Sequence, residues 1–98
     1  MSLETDRREY RYAGLDVDSL AKDPHTQFKS WLDEAIKRGI SDPTAMCLST
    51  CAVGARPSQR IVLLKSYDTS GFVFYTNLES RKAREIQSNA RVSLLFPW

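Results

Sequence analysis

The spacing of apolar residues changes at Thr44, and this change constrains the fold more than any other feature of the chain. Before Thr44, apolar side chains recur at i, i+3, i+4, i+7 and i+8, which predicts one amphipathic helix. After it, short apolar segments alternate with turn residues and predict β-strands. Because short turns join neighbouring strands in antiparallel fashion, the sequence predicts an α+β fold that is mainly β. The apolar positions of the helix are Phe28, Trp31, Leu32, Ala35 and Ile36.

The first helix is bounded by residues that favour helix ends. Asp23 suits the N-cap, and Pro24 suits the first helical position. Lys37 and Arg38 place positive charge in the last turn, and Gly39 suits the C-cap. The apolar stripe between these ends predicts that its aromatic side chains pack in the core and do not contact a cofactor.

Four strands and a second, shorter helix are expected after the first helix. Turn residues at 53–57 and 68–71 separate strand segments, and Ser80 can cap a short helix that runs to about Ser88. An antiparallel sheet with one helix before it and one inserted is compatible with a small barrel, although the pattern leaves closure open. The expected strands are residues 44–51, 58–65, 72–76 and 91–96.

Composition and charge argue against two classes of partner. The 14 basic and 12 acidic residues give a net charge of +2, far below the basic excess typical of nucleic-acid-binding domains. No apolar run approaches the roughly 20 residues of a membrane-spanning helix. Residues 1–12 are polar and lack the apolar core of a signal peptide. We therefore expect no nucleic-acid or membrane partner and a cytoplasmic location.

The side chains that commonly bind metals are few in this chain. Cys47 and Cys51 are four residues apart in one expected strand, so both would point to the same face. The single histidine, His25, lies beside the cap of the first helix, where a capping or surface role is expected. We therefore expect two buried thiols in a reducing compartment, and no metal site.

The start of the second helix carries charges that oppose the helix dipole. Arg81 and Lys82 fall in its first turn, and Arg84 follows closely. Positive charge there costs roughly a few tenths of a kcal/mol per residue. A bound anion would reverse this cost, because free backbone N–H groups, the Ser80 hydroxyl and the cations would together form a phosphate cradle. A solvated surface helix is the alternative, and the residues alone leave both open.

The strand segment 60–65 is apolar with a cation at each end, Arg60 and Lys65. Side chains alternate along a strand, so these two cations point to opposite faces unless a bulge redirects one of them. Cations that reach water from the strand ends are the simpler interpretation. The alternative is that both cations and the exposed backbone line a ligand groove.

Several segments of the chain occur in an order and spacing that matches a known family. They are residues 42–46, 59–65, 71–77, 80–82 and 90–98, together with Arg7-Arg8-Glu9-Tyr10 near the N-terminus. In these segments the chain resembles the N-terminal half of pyridoxine/pyridoxamine 5′-phosphate oxidases, which depend on flavin mononucleotide (FMN). The resemblance extends over essentially the whole chain.

The resemblance implies an FMN-binding split β-barrel, incomplete in this chain, that forms a homodimer with FMN at the subunit interface. Residues 1–22 would be a mobile arm that covers the substrate, and residues 23–98 the N-terminal part of a single domain. No residue is assigned as a catalytic acid or base. The implied FMN contacts are Arg60, Ile61, Val62, Leu63, Leu64, Lys65, Tyr75, Thr76, Arg81 and Lys82. The implied substrate contacts are Arg7, Arg8, Glu9, Tyr10 and Lys65.

The activity that the resemblance implies is oxidation of pyridoxamine or pyridoxine 5′-phosphate to pyridoxal 5′-phosphate, with O2 as acceptor and H2O2 as product. One alternative is a flavin or deazaflavin reductase with the same fold, against which the arm argues. Another is a dimeric flavin-binding module without activity. Because the chain stops at an apolar Phe96-Pro97-Trp98, we expect it to be part of a longer protein and to be inactive alone.

Overall fold

The computed structural model describes Glu4 and residues 15–98. The predicted substrate-covering arm, including Arg7, Arg8, Glu9 and Tyr10, lies outside the described residues. The described part contains one 3₁₀ turn, two α-helices and five β-strands. Their bounds are Val17–Ser19 for the 3₁₀ turn, α1 Pro24–Lys37, β1 Ala45–Thr50, β2 Ser58–Leu63, β3 Ser66–Asp68, β4 Gly71–Val73, α2 Arg81–Ser88 and β5 Ser93–Leu95.

The ends of α1 follow from its capping residues, as predicted. The Asp23 carboxylate accepts a hydrogen bond from the backbone N–H of Thr26, at 3.0 Å. At the other end Arg38 occupies the C-cap, one residue before the expected Gly39. Gly39 instead has φ 72°, and its N–H donates to the carbonyl of Ile36 at 3.0 Å. A glycine in this left-handed conformation, following the cap, ends the helix without steric cost.

The apolar stripe of α1 is only partly buried, and the prediction that its aromatic side chains pack in the core holds for Phe28 and is wrong for Trp31. Leu32 and Ala35 are buried, and Phe28 is half-buried against the core. Trp31 is partly exposed and Ile36 is 54% exposed. At about 100° per residue, these two positions flank the Leu32 side of the helix in opposite directions. The contact face of α1 is therefore narrower than its apolar stripe.

Strand β1 lies in the centre of an antiparallel three-stranded sheet with the order β2-β1-β5. In its register, Leu48 lies opposite Arg60 on β2 and opposite Leu94 on β5. Strands β3 and β4 form a separate antiparallel hairpin. The described strands form these two open sheets and do not close into a barrel. The structure is thus a mixed α/β fold with antiparallel sheets, consistent with part of a split barrel.

The described part of the chain forms five strands where four were predicted, and some strands are shorter than predicted. The reason is that the backbone changes its hydrogen-bonding partner after Leu64. Its N–H donates to the carbonyl of Thr44, at 2.9 Å, whereas the N–H of Lys65 donates to the carbonyl of Val73, at 2.8 Å. The chain thus leaves β1 and pairs with β4 between adjacent residues. For this reason β2 ends before residue 65 and β3 appears as an additional strand. The expected third strand, residues 72–76, is correspondingly shorter than predicted.

The hydrophobic core lies between α1 and one face of the sheet. Met46 and Leu48 of β1 are fully buried there, and Leu32 and Leu64 are almost so. The ring of Phe28 lies at the centre of an aromatic cluster, with ring-centroid separations of 4.8–5.6 Å. The other rings in contact with it are Tyr67, Phe72, Phe96 and Trp98.

Among the described residues, no helix is long and apolar enough to cross a membrane.

Candidate functional site

The side chains of β2 alternate between the two faces of the sheet as predicted, whereas Lys65, the second cation of the segment 60–65, lies beyond the end of the strand. Arg60 is half-buried and faces the same side as the core. Ile61 and Leu63 face the other side, where Ile61 is 62% exposed, and Lys65 is exposed as well. The outer face of β2 therefore presents an open apolar surface that ends in a lysine.

The guanidinium of Arg60 is bound within the protein. Its Nη1 donates to the Leu48 carbonyl at 3.1 Å and to Thr50 Oγ1 at 2.6 Å. Its Nη2 donates to Ser58 Oγ at 2.6 Å. These hydrogen bonds attach the inner face of β2 to β1. The terminal nitrogens of Arg60 thus form hydrogen bonds within the sheet, whereas the side chains on the outer face of the same strand are exposed.

A buried carboxylate from α2 completes this cluster. Glu85 accepts hydrogen bonds from Thr50 Oγ1 at 2.5 Å, from Ser58 Oγ at 2.8 Å and from Arg81 Nε at 2.8 Å. Arg60 Nη2 lies 3.9 Å from the same carboxylate. We call these five residues the Glu85 network. It connects α2, β1 and β2 through polar contacts in place of an apolar interface.

The network favours the charged form of Glu85. Hydrogen bonds from Thr50, then from Ser58, together with the adjacent Arg81, lower the pKa of Glu85 to about 2 against the opposing effect of burial. Glu85 is not among the residues that the sequence predicts for the site. Its one sequence signal is the four-residue spacing from Arg81, which places both on the same face of a helix. Thr50 and Ser58 are 35 and 27 residues away in the chain.

The N-terminus of α2 has the capping geometry that the sequence predicts. The Ser80 hydroxyl accepts a hydrogen bond from the backbone N–H of Ala83, at 3.2 Å. The Arg81 side chain is 68% exposed, and within residues 15–98 its terminal Nη groups donate no hydrogen bond to the protein. Lys82, half-buried, forms no ion pair within the same range. Positively charged side chains and free backbone N–H groups therefore occur together at the start of α2. This combination is typical of an anion-binding site.

Short contacts connect several of the residues that the sequence predicts at the FMN site. The backbone of Lys65 is hydrogen-bonded to Val73, at the end of β4. Two residues further on, Tyr75 is largely exposed, and Thr76 Oγ1 lies 3.3 Å from Ser80 Oγ at the start of α2. The structure therefore brings Thr76 next to the α2 start, and the Glu85 network brings Arg60 into the same cluster as Arg81.

The described residues include chemical groups that are suited to the phosphate and to the ring system of FMN. A phosphate would find helical N–H groups, the Ser80 hydroxyl and the unpaired guanidinium edge of Arg81. A flat aromatic ring system would find the exposed side chains of Ile61 and Leu63 on β2. Two concavities, of about 310 Å³ beside α1 and about 230 Å³ beside β1 and β5, include none of the predicted FMN residues.

The cysteines and the histidine take structural positions. Cys51 Sγ donates to the Ala55 carbonyl at 3.0 Å, and Cys47 Sγ lies 3.6 Å from Gln59 Oε1. Both thiols are half-buried, not fully buried as expected. The ring centroid of His25 lies 6.5 Å from that of Phe72. In the part of the chain that the structure describes, no three His, Cys, Asp or Glu side chains converge in a way that could hold a metal ion.

Comparison with known proteins identifies the family. The family model described as pyridoxamine 5′-phosphate oxidase matches residues 32–98, more than half of the chain. The chain belongs to this family. The pyridoxine/pyridoxamine 5′-phosphate oxidase of Hahella chejuensis is 60% identical over 99 residues, which cover 100% of this chain and 47% of that protein. That of Vibrio parahaemolyticus is 53% identical over 98 residues, or 100% of this chain and 46% of the relative. The chain thus spans about half the length of the curated relatives it matches.

A solved structure supports the same assignment. The crystal structure of PhzG from Burkholderia lata 383, in complex with tetrahydrophenazine-1-carboxylic acid, matches 83% of this chain and 40% of its own. The TM-score is 0.79 and the sequence identity is 33%. This chain therefore shares its arrangement of helices and strands with a protein whose crystal structure contains a small molecule other than pyridoxine or pyridoxamine 5′-phosphate.

Proposed function

We propose that the protein is an FMN-dependent oxidase that converts pyridoxamine or pyridoxine 5′-phosphate to pyridoxal 5′-phosphate, with O2 as acceptor and H2O2 as product. Membership of the oxidase family and 60% identity to a named oxidase support this activity. The observation that carries the FMN assignment is the cationic start of α2, which Ser80 caps and where the terminal Nη groups of Arg81 donate no hydrogen bond to residues 15–98.

In this proposal the chain supplies one part of the cofactor site. Arg81 and Lys82 bind the FMN phosphate at the N-terminus of α2, where the helix dipole also favours an anion. Tyr75 and Thr76 contact the cofactor between β4 and α2. The backbone and outer side chains of β2 lie along the flavin ring: the full set there is Arg60, Ile61, Val62, Leu63, Leu64 and Lys65.

Bound FMN supplies the hydride acceptor, and the protein supplies binding, orientation and electrostatics. A lysine at the end of β2 stabilises negative charge that develops close to it, and Lys65 also binds the substrate phosphate. A substrate fixed by its phosphate presents its reacting carbon in a defined orientation, which lowers the entropic cost of reaction.

The remaining parts of the proposal rest on the resemblance alone. Residues 1–22 form an arm that covers the bound vitamer, and residues 23–98 belong to a single split-barrel domain. Two subunits bind FMN at their interface, and the protein acts in the cytoplasm. The arm residues in contact with substrate are Arg7, Arg8, Glu9 and Tyr10.

The activity is tested with the full-length protein from its source, FMN and air. Pyridoxine 5′-phosphate is expected to give pyridoxal 5′-phosphate and one equivalent of H2O2, both measured by absorbance, with an FMN-free sample as control. Flavin reduction driven by NAD(P)H without aldehyde formation would instead support a flavin reductase. FMN binding with neither reaction would support a binding module without activity. For the isolated 98-residue chain we expect weak FMN binding and no turnover.

A further inference from the structure

Two ion pairs in this chain have the same composition and very different surroundings. On α1, Glu34 Oε1 and Arg38 Nη2 are 2.8 Å apart, with side chains 51% and 62% exposed. On α2, Arg81 Nε and Glu85 Oε1 are also 2.8 Å apart, but the Glu85 side chain is only 8% exposed. Both pairs span four residues of a helix. The α2 pair alone is anchored in the interior.

The carboxylate of Glu85 is held from the side of the sheet. Thr50 on β1 and Ser58 on β2 both donate to it, and these two hydroxyls in turn accept hydrogen bonds from Arg60. A side chain held by two strands has little freedom to rotate. Glu85 is therefore a fixed point, to which the exposed Arg81 is attached.

The point of attachment decides which edge of Arg81 is available. Glu85 accepts a hydrogen bond from Nε, on the inner part of the guanidinium. The two terminal Nη groups form the opposite edge, and none of their hydrogen bonds goes to residues 15–98 of the chain. Paired N–H groups of an arginine match the geometry of phosphate oxygens. An arginine held in this way is already oriented before the phosphate binds, which lowers the entropic cost of binding.

We propose that Glu85 is a positioning residue that holds the Arg81 guanidinium with its terminal N–H groups directed away from the sheet, ready to bind the phosphate of FMN. This inference rests on the proposed function, because the phosphate is that of the cofactor. It also predicts whether Glu85 strengthens or weakens FMN binding. A carboxylate close to a phosphate repels it, so a purely electrostatic role would make Glu85 unfavourable for FMN binding. A positioning role makes it favourable.

The test compares two ligands that differ only in the phosphate. FMN and riboflavin are titrated into the full-length protein, with flavin fluorescence as the signal, for the wild type, Glu85→Ala and Glu85→Gln. We expect Glu85→Ala to weaken FMN binding about tenfold, the effect of one charge-assisted hydrogen bond, and to leave riboflavin binding unchanged. Glu85→Gln keeps an oxygen that can accept from Arg81, so it should retain most of the FMN affinity. Glu34→Ala, which removes the matched exposed pair, should change neither affinity.

A second set of variants tests whether Glu85 acts through Arg81. Arg81→Ala removes the guanidinium that Glu85 holds. If Glu85 acts through Arg81, Glu85→Ala should have little further effect on FMN binding in the Arg81→Ala background. Circular dichroism shows whether each variant is folded; if Glu85→Ala is not, Glu85→Gln still decides, because FMN binding tighter than in the wild type would overturn the positioning role.

The outcomes separate this inference from the proposed function. Equal losses for FMN and riboflavin, tighter FMN binding by Glu85→Ala, or additive effects of Glu85→Ala and Arg81→Ala would each overturn the positioning role, even in an active oxidase. A wild type that binds FMN without oxidising the vitamer would overturn the oxidase proposal and leave the positioning result standing. A wild type that does not bind FMN would overturn both.

Discussion

The two α-helices of this chain are attached to the sheet by different means. Helix α1 buries Leu32 and Ala35 and contributes Phe28 to the aromatic core. Helix α2 is shorter, and the residues that it buries are Ala83 and the charged Glu85. An apolar contact needs only complementary shape, whereas a buried charge needs specific hydrogen-bonding partners.

The difference indicates that the two helices have different roles. Helix α1 contributes stability through burial of apolar surface, and its exposed charges are of the ordinary i,i+4 kind. Helix α2 has cations in the turn where the dipole disfavours them, and a polar network that orients one of these cations. Such a departure from local preference is expected where a ligand compensates for it. Helix α1 is therefore a packing helix, and α2 is the helix for which we propose ligand binding.

The largest expected effect on stability is at the packing helix. Leu32→Ala removes a side chain that is almost fully buried against Met46 and Leu64, so the free energy of unfolding should fall by about 2–5 kcal/mol. Ile36→Ala on the exposed side of the same helix is the control and should cost well under half as much. Urea unfolding of the full-length protein measures both. Equal losses for the two variants would contradict the observed contact face of α1.

At the ligand-binding helix, the expected signature is a dependence on pH. The pKa of Glu85 falls from an ordinary value of 4.5 to about 2, so its stabilising effect is fully present above pH 4.5 and is lost as the pH falls towards 2. Arg60 and Arg81, the cations that face it, stay charged throughout this range. The difference in Tm between the wild type and Glu85→Gln should therefore be constant above pH 4.5 and shrink below it.

The control for this prediction is Glu34→Gln on α1. Its exposed pair with Arg38 should give a Tm difference close to zero at every pH, since exposed pairs contribute about 0–1 kcal/mol. A Glu85→Gln difference that stays constant down to pH 2 would mean that the network does not favour the charged carboxylate.

The sequence predicted those features that depend on residues close together in the chain. The caps at Asp23 and Ser80 were predictable because an N-cap bonds to backbone a few residues away. The opposite directions of Arg60 and Ile61 were predictable because side chains alternate along any strand. The same local reasoning identified the α2 start as a place where an anion would be favourable.

The rest depended on contacts between distant segments. Strand β3 forms because the chain changes partner from β1 to β4 at residues 64–65, and no local pattern records that change. The Glu85 network joins groups 27 to 35 residues apart, so a glutamate on a polar helix gave no sign of its burial. The exposure of Ile36 likewise reflects how much of α1 the sheet can cover.

The most direct test of this account is FMN binding after removal of charge from each helix in turn. In the full-length protein, Arg81→Ala combined with Lys82→Ala should weaken FMN binding about 100-fold, towards the affinity for riboflavin, because two charge-assisted contacts to phosphate are lost. Lys37→Ala combined with Arg38→Ala removes the same charge from the end of α1 and should leave FMN binding unchanged. If the two double variants bind FMN equally well, the start of α2 is not the phosphate site.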